Sequence, residues 1–478
     1  MRTTRAVMFT MAVVGATFAR AANHGLFVAA EVSGPNIKVY GTNPYLRNQN
    51  TMPPVPQETV VTTPPYQIAI PVAMSQPFGP LANGPSVFSL PFDIDFNFAG
   101  TPDGGNAQYN GHDVVVIGSG PGIVPPQVQV WANYSNELGR TERDTFRQIA
   151  SFAVPDFGPA YSAGINVAAG DFNADGNLEI AVGRRNGEPR IALYQVAGGG
   201  LDFGTLGNFG GAVFNAPVTP YLIPNTGNSF VAFPEVPAGY NGGVRPTIQF
   251  GYAWAIADVQ FNYTMLVTAP GKGFKPMVRT WFLHDGTVIA PPPPCPCCCC
   301  VINPIIFHNA FDVALANEAA PLVLSEFLAF KPSYKGGVNV THLSSPSAGT
   351  AFGVATGLYC GQGNGGGELA FFLKDRYSDS FDDIQRIKPF GAAFTGGINV
   401  SHCNRELGDV LLANPGADTL PGRSLGTVAV FADSQQTGAL AQVRFRRNYF
   451  DFPPFIYFPE NVLLRFKPFG NARFRSSP

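Results

Sequence analysis

Asp171, Asn173 and Asp175 stand at alternate positions in the stretch DFNADGNLE, followed by Gly176, Asn177 and Glu179. Short oxygen-bearing side chains alternating on a tight loop are what a calcium ion needs. Calcium is a hard cation that takes six to eight oxygen ligands in flexible geometry. An EF-hand is the nearest alternative, but no helical pattern flanks this loop and no Glu occupies its twelfth position. The plain structural alternative is an Asx-rich turn. A second and sparser oxygen set, Asp95, Asn97, Asn110 and Asp113, surrounds an insertion earlier in the chain. Elsewhere the pattern has decayed to Asp258 with Asn262, or to Glu406 with Asp409.

Other chemistries find less support. The run VVVIGSGPGI, with Gly118 and Gly120, imitates a dinucleotide fingerprint. A dinucleotide site needs a helix directly afterwards, with its N-terminus on the pyrophosphate. Here VPPQVQVW follows, two prolines and then strand-like alternation. Ser424 centres a Gly-x-Ser-x-Gly string, yet a proline-containing loop precedes it and the strand-like TVAVF follows. That order is a hairpin turn, not a nucleophile elbow. The six histidines are scattered and form no His-x-x-x-His pair. Five of the seven cysteines crowd into Cys295 and Cys297–Cys300, with Cys360 and Cys403 apart. Neighbouring cysteines pair poorly with each other, so this tract reads as low-complexity loop, with soft-metal binding or a link to another subunit as alternatives. Sequons fall at Asn133, Asn262, Asn339 and Asn399. The last two share one repeat position, which explains them better than glycosylation does.

Composition narrows the class. Charged residues make up 13% of the chain, and Gly (54), Pro (44) and Phe (40) are abundant. Strands and tight turns suit this mixture better than helices. The net charge of −2 includes no basic stripe, so a nucleic-acid role lacks its electrostatic basis. At the N-terminus, Arg2 and Arg5 precede an apolar run from Ala6 to Ala19, and Ala19-Arg20-Ala21 fits a small-x-small cleavage site. Residues 1–22 therefore read as an export signal or anchor, too short for a stable membrane span. The expected localisation is secreted, extracellular or cell-surface.

The elements that would position the calcium loop recur along the chain. A Pro-Phe-like turn opens each block, at Pro77, Pro155, Pro237, Pro332, Pro389 and Pro468. A short apolar run, a Gly/Pro/Asn loop and an alternating run follow. They appear as HDVVVIGSGPGIVPPQVQVW, NLEIAVGRRNGEPRIALY and TMLVTAPGKGFKPMVRTWF, and again in 352–372 and 409–431. Each is a hairpin whose first strand is apolar enough to be buried on both faces. In the second strand, Val128, Val130 and Ala132 alternate with Gln127, Gln129 and Trp131. With the strands of the opening half, a block makes a four-stranded antiparallel sheet, and radial repetition of such sheets makes a β-propeller. The C-terminus stops inside a block and the N-terminus starts where a block would finish. The expectation is an all-β propeller of about six four-stranded blades, alternatively seven, closed by pairing of N- and C-terminal strands. Residues 23–478 form this single domain, with loop inserts near 51–71, 198–230 and 284–325, the last containing the Cys-rich tract 291–300.

The stretch GINVAAGDFNADGNLEIAVGRRNGEPRIALYQ resembles an FG-GAP (VCBS-type) repeat of integrin-like propellers and exported bacterial proteins. The resemblance is closest over 150–197, looser over 385–431 and faint elsewhere. It implies calcium held by the side chains of Asp171, Asn173, Asp175 and Glu179 and by the Asn177 carbonyl. Glu179 departs from the usual Asp at the ninth position. It also implies extracellular recognition or adhesion, without enzymatic activity, through a glycan or protein ligand. A structural subunit of a self-assembling fibre or surface layer is the alternative, and a propeller-based polysaccharide-active enzyme the third. The aromatic stretch YFDFPPFIYF at 449–458 and the Pro-rich arm at 51–71 are the segments expected to mediate self-association into a homo-oligomer or filament.

Overall fold

The computed structural model describes residues 26–41, 66–90, 114–133, 146–170, 172, 178–196, 217–223, 226–254, 260–283, 321–344, 356–374, 380–403, 410–415, 428–432, 462–466 and 474–476. Nearly all of them belong to strands or to the turns between strands. The chain opens with β1 (Leu26–Glu31), β2 (Ile37–Gly41) and β3 (Tyr66–Ile68). Then come β4 (Ser86–Leu90), β5 (Val114–Gly118), β6 (Gln127–Asn133) and β7 (Phe146–Ala153). The third group is β8 (Ile165–Gly170), β9 (Leu178–Arg184), β10 (Arg190–Val196), β11 (Val218–Pro220) and β12 (Ser229–Val231). The fourth is β13 (Val244–Trp254), β14 (Gln260–Pro270), β15 (Met277–Phe282) and β16 (Leu322–Leu328). The fifth is β17 (Val338–Ser344), β18 (Thr356–Gln362), β19 (Leu369–Lys374) and β20 (Phe381–Ile387). The chain ends with β21 (Ile398–Cys403), β22 (Val410–Pro415), β23 (Val428–Ala432), β24 (Val462–Phe466) and β25 (Phe474–Ser476).

Each group pairs in chain order into a small antiparallel sheet, and β25 joins the first sheet in the order β25–β1–β2–β3. The first strands of successive sheets pack side by side, β4 on β8, β8 on β13, β13 on β17 and β17 on β21, while β25 touches β21 and β4. This is an all-β propeller arrangement, in which radial repetition leaves only short edges.

Burial follows position within the sheet. Every residue of β5 is buried, as is every residue of β9 except Arg184. These second strands lie between neighbouring sheets, which is why their sequences are continuous apolar runs. The outermost strands β16 and β20 are half-buried or exposed throughout. Arginines clamp neighbouring sheets at this periphery. Arg279 donates to the Ala232 carbonyl at 2.7 Å and Arg386 to the Ala329 carbonyl at 3.0 Å.

The pairing of third with fourth strand carries a register shift at one repeat position, at Val130/Trp131, Thr280/Trp281, Phe371/Phe372 and Val430/Phe431. A bulge there bends the outer strand and re-aims the side chain beside it. Trp131 keeps the alternation. It stands opposite Val115 on the face it shares with Gln129, to whose Oε1 its Nε1–H donates at 3.1 Å, and it is only 4% exposed because that face is also covered, by Val28 and Phe146 among others.

Short strands fall within the ranges of the loop inserts. The region 198–230 contains β11 and most of β12, both paired to β10, so the fourth strand of that sheet arrives in two pieces. Likewise β3 lies within 51–71, and β16 begins inside 284–325. Residues 1–22, the Cys-rich tract 291–300, Ser424 and the aromatic stretch 449–458 lie outside the described residues. Among the described residues no helix is long and apolar enough to cross a membrane.

Candidate functional site

Five sheets are entered through a glycine with positive φ, namely Gly84, Gly164, Gly243, Gly337 and Gly397. Two residues further on, the first strand carries Ser86, Asn166, Arg245, Asn339 or Asn399. This position reaches across to the next sheet. The Asn166 amide donates to the Val244 carbonyl at 2.9 Å, and the Asn339 amide to the Ile398 carbonyl at 2.7 Å. Arg245 spans the same gap with a longer arm, Nη1 donating to the Val338 carbonyl at 3.2 Å and to Asn339 Oδ1. Asn339 is therefore part of the seam between sheets, which accounts for its sequon.

The hairpin of one sheet is stitched to the entry turn of the next. Gly84 N donates to Gly34 O at 3.1 Å, Ile165 N to Ser119 O at 3.0 Å, Gly243 N to Gly187 O at 3.1 Å, and Gly397 N to Gly366 O at 2.7 Å. Three residues before the entry glycine, Tyr161 and Tyr240 lean over it. Their hydroxyls donate to the Gly164 and Gly243 carbonyls, each at 2.8 Å. Burial raises both phenols, Tyr240 to about 12.

These turns converge on a cleft of about 600 Å³. The half-buried Asn166 and Arg245 project into it from β8 and β13. The turn after β9 adds Arg185 and Asn186, and the turn after β14 adds Lys272 and Gly273. Asn83 and Asn241 come from entry turns, while Val32 and Pro121 complete the wall. Arg185 is braced by its Nη2, which donates to the Ile165 carbonyl at 3.3 Å. The lining thus combines three cations with four amides. Among the described residues no Asp, Glu, His, Ser or Cys lines it. Such a surface offers many N–H donors and several amide acceptors. Its size is ordinary for a small-ligand site.

No family model matches the chain, and no curated protein matches it. Solved structures similar to it include a protein from Lactobacillus plantarum, at 10% identity and a TM-score of 0.39, covering 86% of this chain and 79% of that one. Two others are 6-phosphogluconolactonase candidates from Bacteroides uniformis ATCC 8492 and Bacteroides fragilis NCTC 9343. The first has 13% identity and a TM-score of 0.36, the second 12% and 0.37. Each match covers 88% of this chain and 81% of the other. At such identities and scores they transfer no function to this chain.

Of the calcium residues expected from sequence, Glu179 is described. It sits on β9 with its side chain fully buried, and its Oε2 accepts the Phe172 N–H at 2.7 Å. The carboxylate is thereby held against the backbone of Phe172. Asp171, Asn173, Asp175 and Asn177 lie outside the described residues, as do Asp95, Asn97, Asn110 and Asp113. The dinucleotide-like glycines Gly118 and Gly120 sit at the end of β5 and in the turn that leads to β6.

The cleft residues were not singled out by motif. One signal was present: Arg245 stands where the other repeats place Asn or Ser, and the RRNG and GKG turns concentrate charge in a chain otherwise poor in it.

Proposed function

We propose that the chain is an extracellular, non-enzymatic recognition propeller that binds its ligand in the cleft between β8 and β13. The lining carries this reading. Four amides and three cations give it donors and acceptors suited to holding a polar ligand. In this reading the six sheets are six blades, and the pairing of β1 with β25 (Ala29↔Ser476 to Glu31↔Phe474) closes the ring. The recurring entry glycine and the recurring bulge support a degenerate FG-GAP-type repeat. Calcium in the 171–179 loop would brace β8 against β9, with Glu179 as one ligand. Export rests on the N-terminal apolar run.

Assembly into a fibre or layer is the second reading. It is favoured by Val72 and Leu81, which are 80% and 92% exposed in the connection between β3 and β4. Sedimentation of the purified chain reads it directly, a monomer at micromolar concentration counting against it. The recognition reading is tested by probing a glycan and protein array with the full chain and with Asn186→Trp, which fills the cleft from an exposed turn. Signals lost in the variant support the cleft as the site, and signals retained in full place binding elsewhere.

A further inference from the structure

The composition of the cleft says more about its ligand than that one binds. Arg185, Arg245 and Lys272 bring three positive charges to one concavity, in a protein whose overall charge is −2. Two of them are held in place. Arg185 is braced on the Ile165 carbonyl and Arg245 on the Val338 carbonyl, both at the entry ends of first strands. A guanidinium fixed in this way loses little freedom when it meets an oxyanion, and its planar fork matches carboxylate, sulfate or phosphate. Lys272 differs. It is exposed at the tip of a turn and contributes a mobile point charge at the rim.

Between the cations stand Asn83, Asn166, Asn186 and Asn241. An amide both donates and accepts, so a ring of amides suits a body bearing many hydroxyls. Among the described residues no aromatic ring lines the cleft. A nucleobase would be left without a stacking partner, although stacking is a main source of affinity for bases. The same lack removes sugar stacking and leaves charge as the leading attraction.

We infer that the cleft binds an anionic saccharide, a hydroxyl-rich ring system carrying a carboxylate, sulfate or phosphate group. This rests on the reading of the cleft as the binding site. The entry-glycine seams present the fixed guanidiniums to the oxyanion, and the asparagines take the ring hydroxyls. Lys272 steers and tightens at the rim. Because charge leads, binding weakens as salt rises, since dissolved ions screen charges that are exposed or partly exposed.

The test is calorimetry on the full chain with trigalacturonate, a sulfated heparin disaccharide, glucose 6-phosphate, maltotriose and AMP, each at low and high salt. At least one of the three anionic saccharides should bind, the strongest naming carboxylate, sulfate or phosphate as the group preferred. Maltotriose and AMP should bind at least about tenfold more weakly, and high salt should weaken the anionic saccharide by about tenfold. Lys272→Glu should weaken it by about tenfold or more, while Lys272→Gln should cost only about threefold. Maltotriose or AMP matching the best anionic saccharide would overturn the inference, as would undiminished binding to Lys272→Glu or no binding by any anionic saccharide. Asn186→Trp separates this failure from failure of the site itself. If it abolishes maltotriose binding, the cleft is the site and only its anion preference is wrong. If it leaves every probe bound as before, the cleft is not the site.

Discussion

Replacing Gly243 with alanine tests the seam that shapes the cleft. Gly243 has φ +66, and a Cβ built there would lie 2.3 Å from the Arg184 carbonyl oxygen and 2.4 Å from the Arg185 carbonyl carbon and oxygen. All three atoms are backbone and belong to the neighbouring sheet, so no side chain can swing aside. The clean comparison is Gly365, which has φ +81 and nothing within 4 Å of its virtual Cβ. Alanine at either position meets the left-handed penalty of about 1–2 kcal/mol, reduced by about 0.4–1 kcal/mol because alanine restricts the unfolded chain. Gly365→Ala should therefore cost about 1 kcal/mol. Gly243→Ala adds the displacement of one sheet against the next, about 1–3 kcal/mol by analogy with overpacked cores, for a total of about 2–4 kcal/mol. Urea unfolding followed by tryptophan fluorescence reads both variants, since Trp131 and Trp281 are only 4% and 5% exposed. Gly243→Ala should lower the midpoint well beyond Gly365→Ala at similar slope. Equal shifts in the two variants would refute the argument that close approach between sheets, and not backbone conformation alone, demands glycine at the seam.

The Tyr240 phenol, pushed up to about 12 by burial from 10.0, stays neutral in the folded protein over a range where the unfolded chain ionises. Its contribution to stability is full below pH 10 and is lost as pH rises from 10 to 12. The melting temperature should fall over that window, and less steeply in Tyr240→Phe; an identical slope in the variant would count against it. Asp171→Ala combined with Asp175→Ala should abolish calcium binding and the stabilisation that mass action confers on the folded state. Calorimetry on the wild type showing no binding at millimolar calcium would reduce the loop to a turn. Deleting residues 460–478 removes β24 and β25 and exposes the edge of β1, so the truncated chain should aggregate. A monomer with unchanged melting temperature would rule out closure through the terminal strands.

Much of the architecture was legible because it is local. The continuous apolar runs of β5 and β9, the Gly-rich turns after them and the alternating strands that follow recur as one block, readable within about twenty residues. Asn339 and Asn399 could be assigned to a repeat position before any contact was known. The oxygen alternation from Asp171 to Glu179 is local too, and burial of Glu179 against the Phe172 N–H agrees with a carboxylate facing its own loop. Where sequence reading failed, a longer-range decision had intervened. The strands β11 and β12 are three residues each, too short to carry a pattern, and only their pairing with β10 makes them strands.

The sequence by itself determined the repeat and the strand class, since each is encoded by neighbours along the chain. The tertiary structure alone decided the cleft. Val32, Asn83, Asn166, Arg185, Arg245 and Lys272 are spread over more than half the chain and share no motif. They meet because turns of the first four sheets face one mouth, and that convergence is a property of how sheets pack around one another, which no run of consecutive residues records.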